Sequence, residues 1–168
     1  MGAVITVIAA LGGLLLGIRA EQRADKEEQR AIDASRKAPA EQVDFYRTPS
    51  TVVVVNGNPH PVRMRLFLPE KHLWWELYSV APCKQIAIPN GSLLGSMRDR
   101  FPSVQLTDGD LSSLWLEFVD PKGRSWVRGS GGALAPSTPE PTPSGLRMVD
   151  LGEPWNKAPQ DSPMCGIS

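Results

Sequence analysis

Residues Gly2 to Ile18 carry no charge, and from Arg19 the chain turns abruptly into a dense mixture of Arg, Lys, Glu and Asp. Ala, Val, Ile and Leu dominate the run and no polar face interrupts it, so a helix made from it has no stable place in water. Such a helix would be roughly 25 Å long, just under a hydrocarbon core of about 30 Å. Arg19 can snorkel to the headgroups, so a transmembrane helix over 2–18 is expected. A cleaved secretory signal fits less well. No Lys or Arg precedes the run, and Ile18-Arg19-Ala20 supplies a small residue at only one of the two positions that cleavage uses.

Orientation follows from flanking charge. Arg19, Arg23, Lys26, Arg30, Arg36 and Lys37 all come after the run, and the positive-inside rule then puts the C-terminal bulk in the cytoplasm. The expected protein is a single-pass protein of the cell membrane with a cytoplasmic C-terminal domain.

Residues 19–38 lack Gly and Pro and are rich in helix formers, so the membrane helix should continue as a charged juxtamembrane helix and stop before Pro39. Ala20, Ala24, Glu27, Ala31, Ala34 and Ala38 form a thin seam, and Gly13-Leu14-Leu15-Leu16-Gly17 is a GxxxG. Small residues let helices approach closely, so a weak homodimer through Gly13 and Gly17 is one expectation. A solvated charged helix is the competing one, because an Ala seam buries little area.

From Thr48 the pattern becomes extended. Thr51–Val55 is β-branched, and Asn56-Gly57-Asn58-Pro59 is a turn cluster. Residues 62–68 alternate Val62, Met64, Leu66 and Leu68 with Arg63, Arg65 and Phe67, the signature of a half-buried strand. Further strands are predicted at 73–80 and 84–88, a short one at 104–106, and a hairpin of 113–119 with 124–128 around Asp120-Pro121-Lys122-Gly123. Pro89-Asn90-Gly91 should end the fourth strand and open a long connection. Short strands without a helix-period stretch imply a small antiparallel immunoglobulin-like β-sandwich over 48–135. Its predicted inward residues are Val53, Val55, Val62, Met64, Leu66, Trp75, Leu77, Ile86, Ile88, Leu116, Phe118 and Trp126.

Residues 136–168 begin with the Pro-rich Pro136-Ser137-Thr138-Pro139-Glu140-Pro141-Thr142-Pro143 and are expected to be a disordered tail. Leu146, Met148, Val149, Leu151 and Trp155 could form a short docking motif there, a loosely packed terminus being the competing reading.

The chain holds little that resembles a reaction centre. His60 and His72 have no ligand-spaced partner, and Cys83 and Cys165 have no CxxC spacing, so no cofactor, metal or zinc site is expected. Two free thiols suit a reducing compartment; a single disulfide between them is the alternative if the domain lies outside. Asp108-Gly109-Asp110 lacks the remaining ligands of a calcium loop and reads as a β-turn. Asn90-Gly91-Ser92 matches a glycosylation acceptor but is equally a turn, and Gly129-Ser130-Gly131-Gly132 has no Lys-Ser/Thr behind it to hold a phosphate. An enzyme would have to assemble its groups from Asp108, Asp110, His72, Cys83 and Glu117. The net charge is zero, which gives no electrostatic argument for nucleic acid.

Two features could serve binding. Arg63 and Arg65 share a strand face, while Arg124 and Arg128 flank Trp126, an arrangement suited to an acidic or planar partner. Trp74 and Trp75 must face opposite sides of one strand, so one is core and the other is exposed or covered. Trp74 is the exposed candidate.

Together, the apolar anchor, the Ala-rich charged helix, the Val53-Val54-Val55-Asn56 and Pro61-Val62 strand pair, and Phe118-Val119-Asp120-Pro121-Lys122-Gly123-Arg124-Ser125-Trp126-Val127-Arg128 resemble uncharacterised membrane proteins of actinobacteria. In those a sheet domain carries a similar F-x-D-x-x-G-x-x-W-x-R ending. The resemblance implies structural roles: Asp and Gly make the turn, Trp fills the core and Arg closes the sandwich end. The sequence thus leads to a single-pass membrane-anchored β-sandwich acting as an interaction or scaffold module toward an unidentified protein partner, without catalytic activity. Its alternative is a secreted or envelope-facing ligand-binding domain released by signal cleavage.

Overall fold

The computed structural model describes residues 23–138, 147–151 and 159–165. The expected transmembrane helix 2–18, with Gly13 and Gly17, lies outside these residues. Among the described residues no helix is long and apolar enough to cross a membrane.

Helix α1 covers residues 23–41, and its side chains are exposed through Ala38. It therefore passes the expected stop before Pro39. Proline removes one helical hydrogen bond, but this last turn is held from outside: the Pro39 carbonyl accepts from Asn58 Nδ2 at 3.0 Å, and Ala40 is fully buried.

Two sheets follow, in a domain that starts at Pro39 rather than at 48. The first has the order β1-β2-β5-β10, from Val43–Arg47, Thr51–Asn56, Lys84–Pro89 and Gln160–Asp161. The second has the order β8-β7-β6-β3-β4-β9, from Leu134–Pro136, Ser125–Gly129, Trp115–Val119, Val62–Leu68, Leu73–Val80 and Arg147–Asp150. Neighbours are antiparallel except β4 and β9, which run parallel. The β6–β7 hairpin forms as expected. Gly123 supplies the left-handed residue (φ 78°), and Asp120 Oδ1 accepts from the backbone N–H groups of Lys122 and Arg124 at 2.8 and 2.9 Å.

All twelve predicted inward residues are buried, yet the phase of β2 is the reverse of the expected one. Val52 and Val54, paired with Ile88 and Ile86, enter the shared core, whereas Val53 and Val55 are buried on the other face. A run of four valines carries no alternation from which the phase could be read.

The expected long connection after β5 contains helix α2, Asn90–Arg100. Its helix formers are diluted by Gly91 and Gly95, but Leu93 and Met97 are fully buried and the Leu93 carbonyl accepts from Trp75 Nε1 at 3.2 Å. Tertiary burial here overrides weak propensity. The short strand expected at 104–106 does not form, although Val104 is buried.

The region expected to be a disordered tail supplies part of β8 and all of β9 and β10, because open sheet edges offer its backbone partners. Val149 and Leu151 are buried against the domain's own core. Cys165 and Cys83, expected as free thiols, form a disulfide with a Cα–Cα distance of 5.4 Å. This is the alternative of the two sequence readings, and it depends on the fold bringing together two residues 82 apart.

Candidate functional site

Alternation along β3 sends Arg63, Arg65 and Phe67 to the outer face of the six-stranded sheet, where the register lines them up in rows. One row is apolar: Trp115 on β6, Phe67 on β3, Trp74 on β4 and Met148 on β9. Trp115 and Met148 are each 40% exposed. Trp74, expected to be exposed, is only 5% exposed and stacks on Phe67 with ring centroids 4.1 Å apart. Its burial between neighbouring strands removes it as a ready contact.

The next row is charged and internally paired. Arg65 Nε donates to Glu117 Oε2 at 2.5 Å, and Arg63 lies 3.5 Å from Glu76, whose carboxylate is almost fully buried. Glu76 also accepts from the Tyr78 N–H at 3.2 Å. The Tyr78 hydroxyl donates to Asp150 at 2.7 Å, and this bond, with the negative charge behind it, raises the phenol pKa. Arg63 keeps 68% of its side chain in solvent, while Arg65 is mostly covered. The two arginines therefore share a face, as expected, with Glu117 and Glu76 supplying the opposing charge.

Arg128 is not part of that surface. Trp126 and Arg128 alternate inward on β7; the Trp126 indole N–H donates to buried Asp120 Oδ2 at 3.0 Å. Arg128 donates to the carbonyls of Gly132 (3.1 Å) and Ala40 (3.5 Å) and lies 3.6 Å from Asp44 on β1, closing one side of the sandwich. Arg124 sits in the hairpin turn, its N–H bonded to Asp120. The F-x-D-x-x-G-x-x-W-x-R residues thus hold a turn, fill a core and bridge two sheets.

The remaining candidates are dispersed. Asp110 accepts from the Thr107 N–H and hydroxyl at 2.7 Å each and pairs with Lys71 at 3.0 Å. The Thr107 bonds lead in lowering its pKa to about 2, with Lys71 adding to them. Asn90 is 5% exposed, and its Nδ2 donates to the Pro49 carbonyl and to Asp108, so its amide is tied down inside the fold. His72 occupies a left-handed position (φ 50°) after a 3-10 turn at Pro69–Lys71, and the His60 carbonyl caps Asn56. Among the described residues no group of three or more His, Cys, Asp or Glu is placed to hold a metal ion.

A concave site missed by the sequence reading opens at one end of the sandwich. It is a cleft of about 600 Å³ between the end of β1, the turn Thr48–Pro49 and the 3-10 turn Asp110–Ser113. Phe45, Val52, Leu111 and Leu114 line it as an apolar floor; Tyr46, Arg47 and Ser112 lie on its rim. Arg47 ends the inward-facing set of β1, opposite Val52, and its Nη2 pairs with Asp108, which Asn90 Nδ2 contacts at 2.7 Å. The Arg47 Nε is buried with no acceptor among the described residues. The one available signal was Val43-Asp44-Phe45, a brief alternation before Thr48.

The chain matches no protein family, and no curated protein or solved structure is similar to it. The fold and site define a two-sheet β domain with buried polar staples, and its function has to be argued from those residues.

Proposed function

We propose that this is a membrane-tethered β-sandwich module, immunoglobulin-like in size, that faces an oxidising compartment and acts by binding a protein or ligand, without catalysis. The observation that carries this reading is the Cys83–Cys165 disulfide. Cytosolic reductants keep such pairs as thiols, whereas envelope and secreted domains retain them. Flanking charge favours the opposite side, but that rule weakens for long translocated domains, and about 150 residues follow the apolar run. Binding rather than chemistry is supported by the way the acids and bases are used: Asp110, Glu117, Glu76 and Asp120 are each committed to structural partners. Relation to the actinobacterial single-pass proteins belongs to the same proposal.

The test is thiol accessibility in intact cells with a membrane-impermeant maleimide. Labelling of Cys83 and Cys165 in intact cells after mild reduction, and none without it, is the expected result. Free thiols that label only after lysis would place the domain in the cytoplasm and end this reading.

A further inference from the structure

The six-stranded sheet has to be crossed by its own chain. β8 and β9 are its opposite edges, joined by residues 139–146, which lie outside the described residues. The Ser137 N–H donates to Ser125, level with Val119 and Arg63, whereas Arg147 lies opposite Leu73, level with Leu68. Strand spacing and rise then put Ser137 and Arg147 about 24 Å apart across the sheet and about 17 Å apart along it, or about 29 Å on the diagonal. The ten residue steps between them reach about 36 Å at most, so a detour of about 41 Å round either end of the strands is too long. The inner face is filled by the core, which leaves the outer face. Ser137 already leans that way, its hydroxyl donating to Glu117 Oε1 on β6 at 3.3 Å.

We propose that the outer face of this sheet is a polyproline-binding surface and that residues 139–146 are its ligand, laid diagonally from Glu117 across Arg65 and Phe67 to Trp74. Exposure on the sheet follows that line. Beneath it, Glu117 and Arg65 keep 14% and 19% of their side chains in solvent and Trp74 is 5% exposed. To either side of it, Arg63 keeps 68% and Trp115 keeps 40%. Glu76, off the line, is engaged by Arg63 and the Tyr78 N–H. The sequence suits the path. Covering the diagonal in ten steps takes about 2.9 Å per residue, close to the rise of about 3.1 Å in polyproline II, which Pro139, Pro141 and Pro143 favour before any contact is made. At about two residues per strand, Pro139 falls over β7, Pro141 over β6, Pro143 over Phe67 and Gly145 over Trp74. A stacked aromatic pair is the kind of platform on which Pro-rich segments dock, and Gly145 has no side chain to hold the backbone off the ring.

A nitroxide on Thr142→Cys, in the full chain in detergent with its native disulfide intact, reports where the segment lies. The amide signals of Phe67 and Trp74 and the Trp74 indole signal should be lost, while the amides of Tyr46 and Val53 on the outer face of the other sheet survive. Mixing nitroxide-bearing chains with isotope-labelled chains that lack the nitroxide should leave every signal intact, because the occupant is the chain's own segment and not a second copy. A Gly/Ser insert of about twelve residues between Pro143 and Ser144 frees the segment from its length constraint. The loss should persist in that chain and disappear when Pro139, Pro141 and Pro143 are also changed to Ser, with the Ile86 and Ile88 signals unchanged as the check that the domain stays folded. Intact Phe67 and Trp74 signals without the insert, or a loss seen only in the mixed sample, would overturn the proposal. So would a loss abolished by the insert alone, which makes the segment a tether without affinity for the face, or one that survives replacement of the prolines.

Discussion

Replacing both cysteines by alanine removes the staple between the β4–β5 turn and the C-terminal segment. The disulfide joins residues 82 apart, for which loop-closure entropy gives about 4.5 kcal/mol at 25 °C as an upper value. The strap has little else to hold it. β10 pairs over only two residues, the Ser162 N–H donates to the Cys83 carbonyl at 2.8 Å, and Lys84–Asp161 is a solvent-screened surface pair. Without the bond the strap can therefore detach while the rest stays folded, and the folded state regains part of the lost entropy. The expected loss in the double Cys83→Ala, Cys165→Ala variant is accordingly about 2–4 kcal/mol, read from urea unfolding followed by Trp fluorescence. Hydrogen exchange should become fast at residues 159–165 while β2 and β3 stay protected. The same shift should appear in the wild type under a dithiol reductant. A midpoint within about 0.5 kcal/mol of the oxidised wild type, with unchanged exchange in the strap, would refute the idea that this bond fixes the C-terminal segment.

Three further outcomes follow from the same geometry. Asp120→Ala leaves the Lys122, Arg124 and Trp126 N–H groups without their acceptor and should cost about 2–4 kcal/mol in a denaturant titration, against under about 2 for Asp120→Asn. Trp74→Ala empties a buried site and should cost about 3–5 kcal/mol, whereas Trp115→Ala on the same face should cost under about 1, both read from thermal midpoints. Asp110 has a folded pKa lowered to about 2 from its ordinary 3.8, so its stabilising contribution is complete above about pH 4 and is lost as the pH falls through 2. Asp110→Asn should flatten the fall of the thermal midpoint over that window, and an unchanged slope would remove the Thr107 and Lys71 bonds as its cause.

The sequence made visible what local pattern determines. β3, β4, β5 and the β6–β7 hairpin follow from alternation and turn residues, and Asp120, Gly123, Trp126 and Arg128 take roles that one short motif implies. What it hid depends on partners far along the chain. The phase of Val52–Val55 is set by Ile86 and Ile88 across the sheet, and α2 is stabilised by burying Leu93 and Met97. β9 forms because β4 leaves an edge open. Likewise, Arg63 and Arg65 could be placed on one face from β3 alone, but Glu117 and Glu76, which neutralise them, arrive from two other strands. The cleft was hidden in the same way, since Arg47 and Asp108 meet across 61 residues.

The two ends of β1 are held by different contacts. At its start, Val43 lies opposite Asn56, and the turn that follows gathers three segments: the Gly57 N–H donates to Gln42, Asn58 donates to Pro39, and Cys83 accepts the strap while donating to Asn58. Asn56 Nδ2 completes the junction with bonds to the carbonyls of His60, Val80 and Ala81. Even a methyl at Gly57 would lie 2.8 Å from the Gln42 carbonyl oxygen and 3.1 Å from Met164 Cβ, so the chain passes too close here for any side chain. About 13 Å away, at Arg47, the strand ends beside the cleft, and the buried Arg47 Nε has no acceptor among the described residues. The two ends of the strand are therefore held by different means, the disulfide strap and the Asn56 amide at its start, and the Arg47–Asp108 pair with the Asn90 bonds to Asp108 and Pro49 at its end.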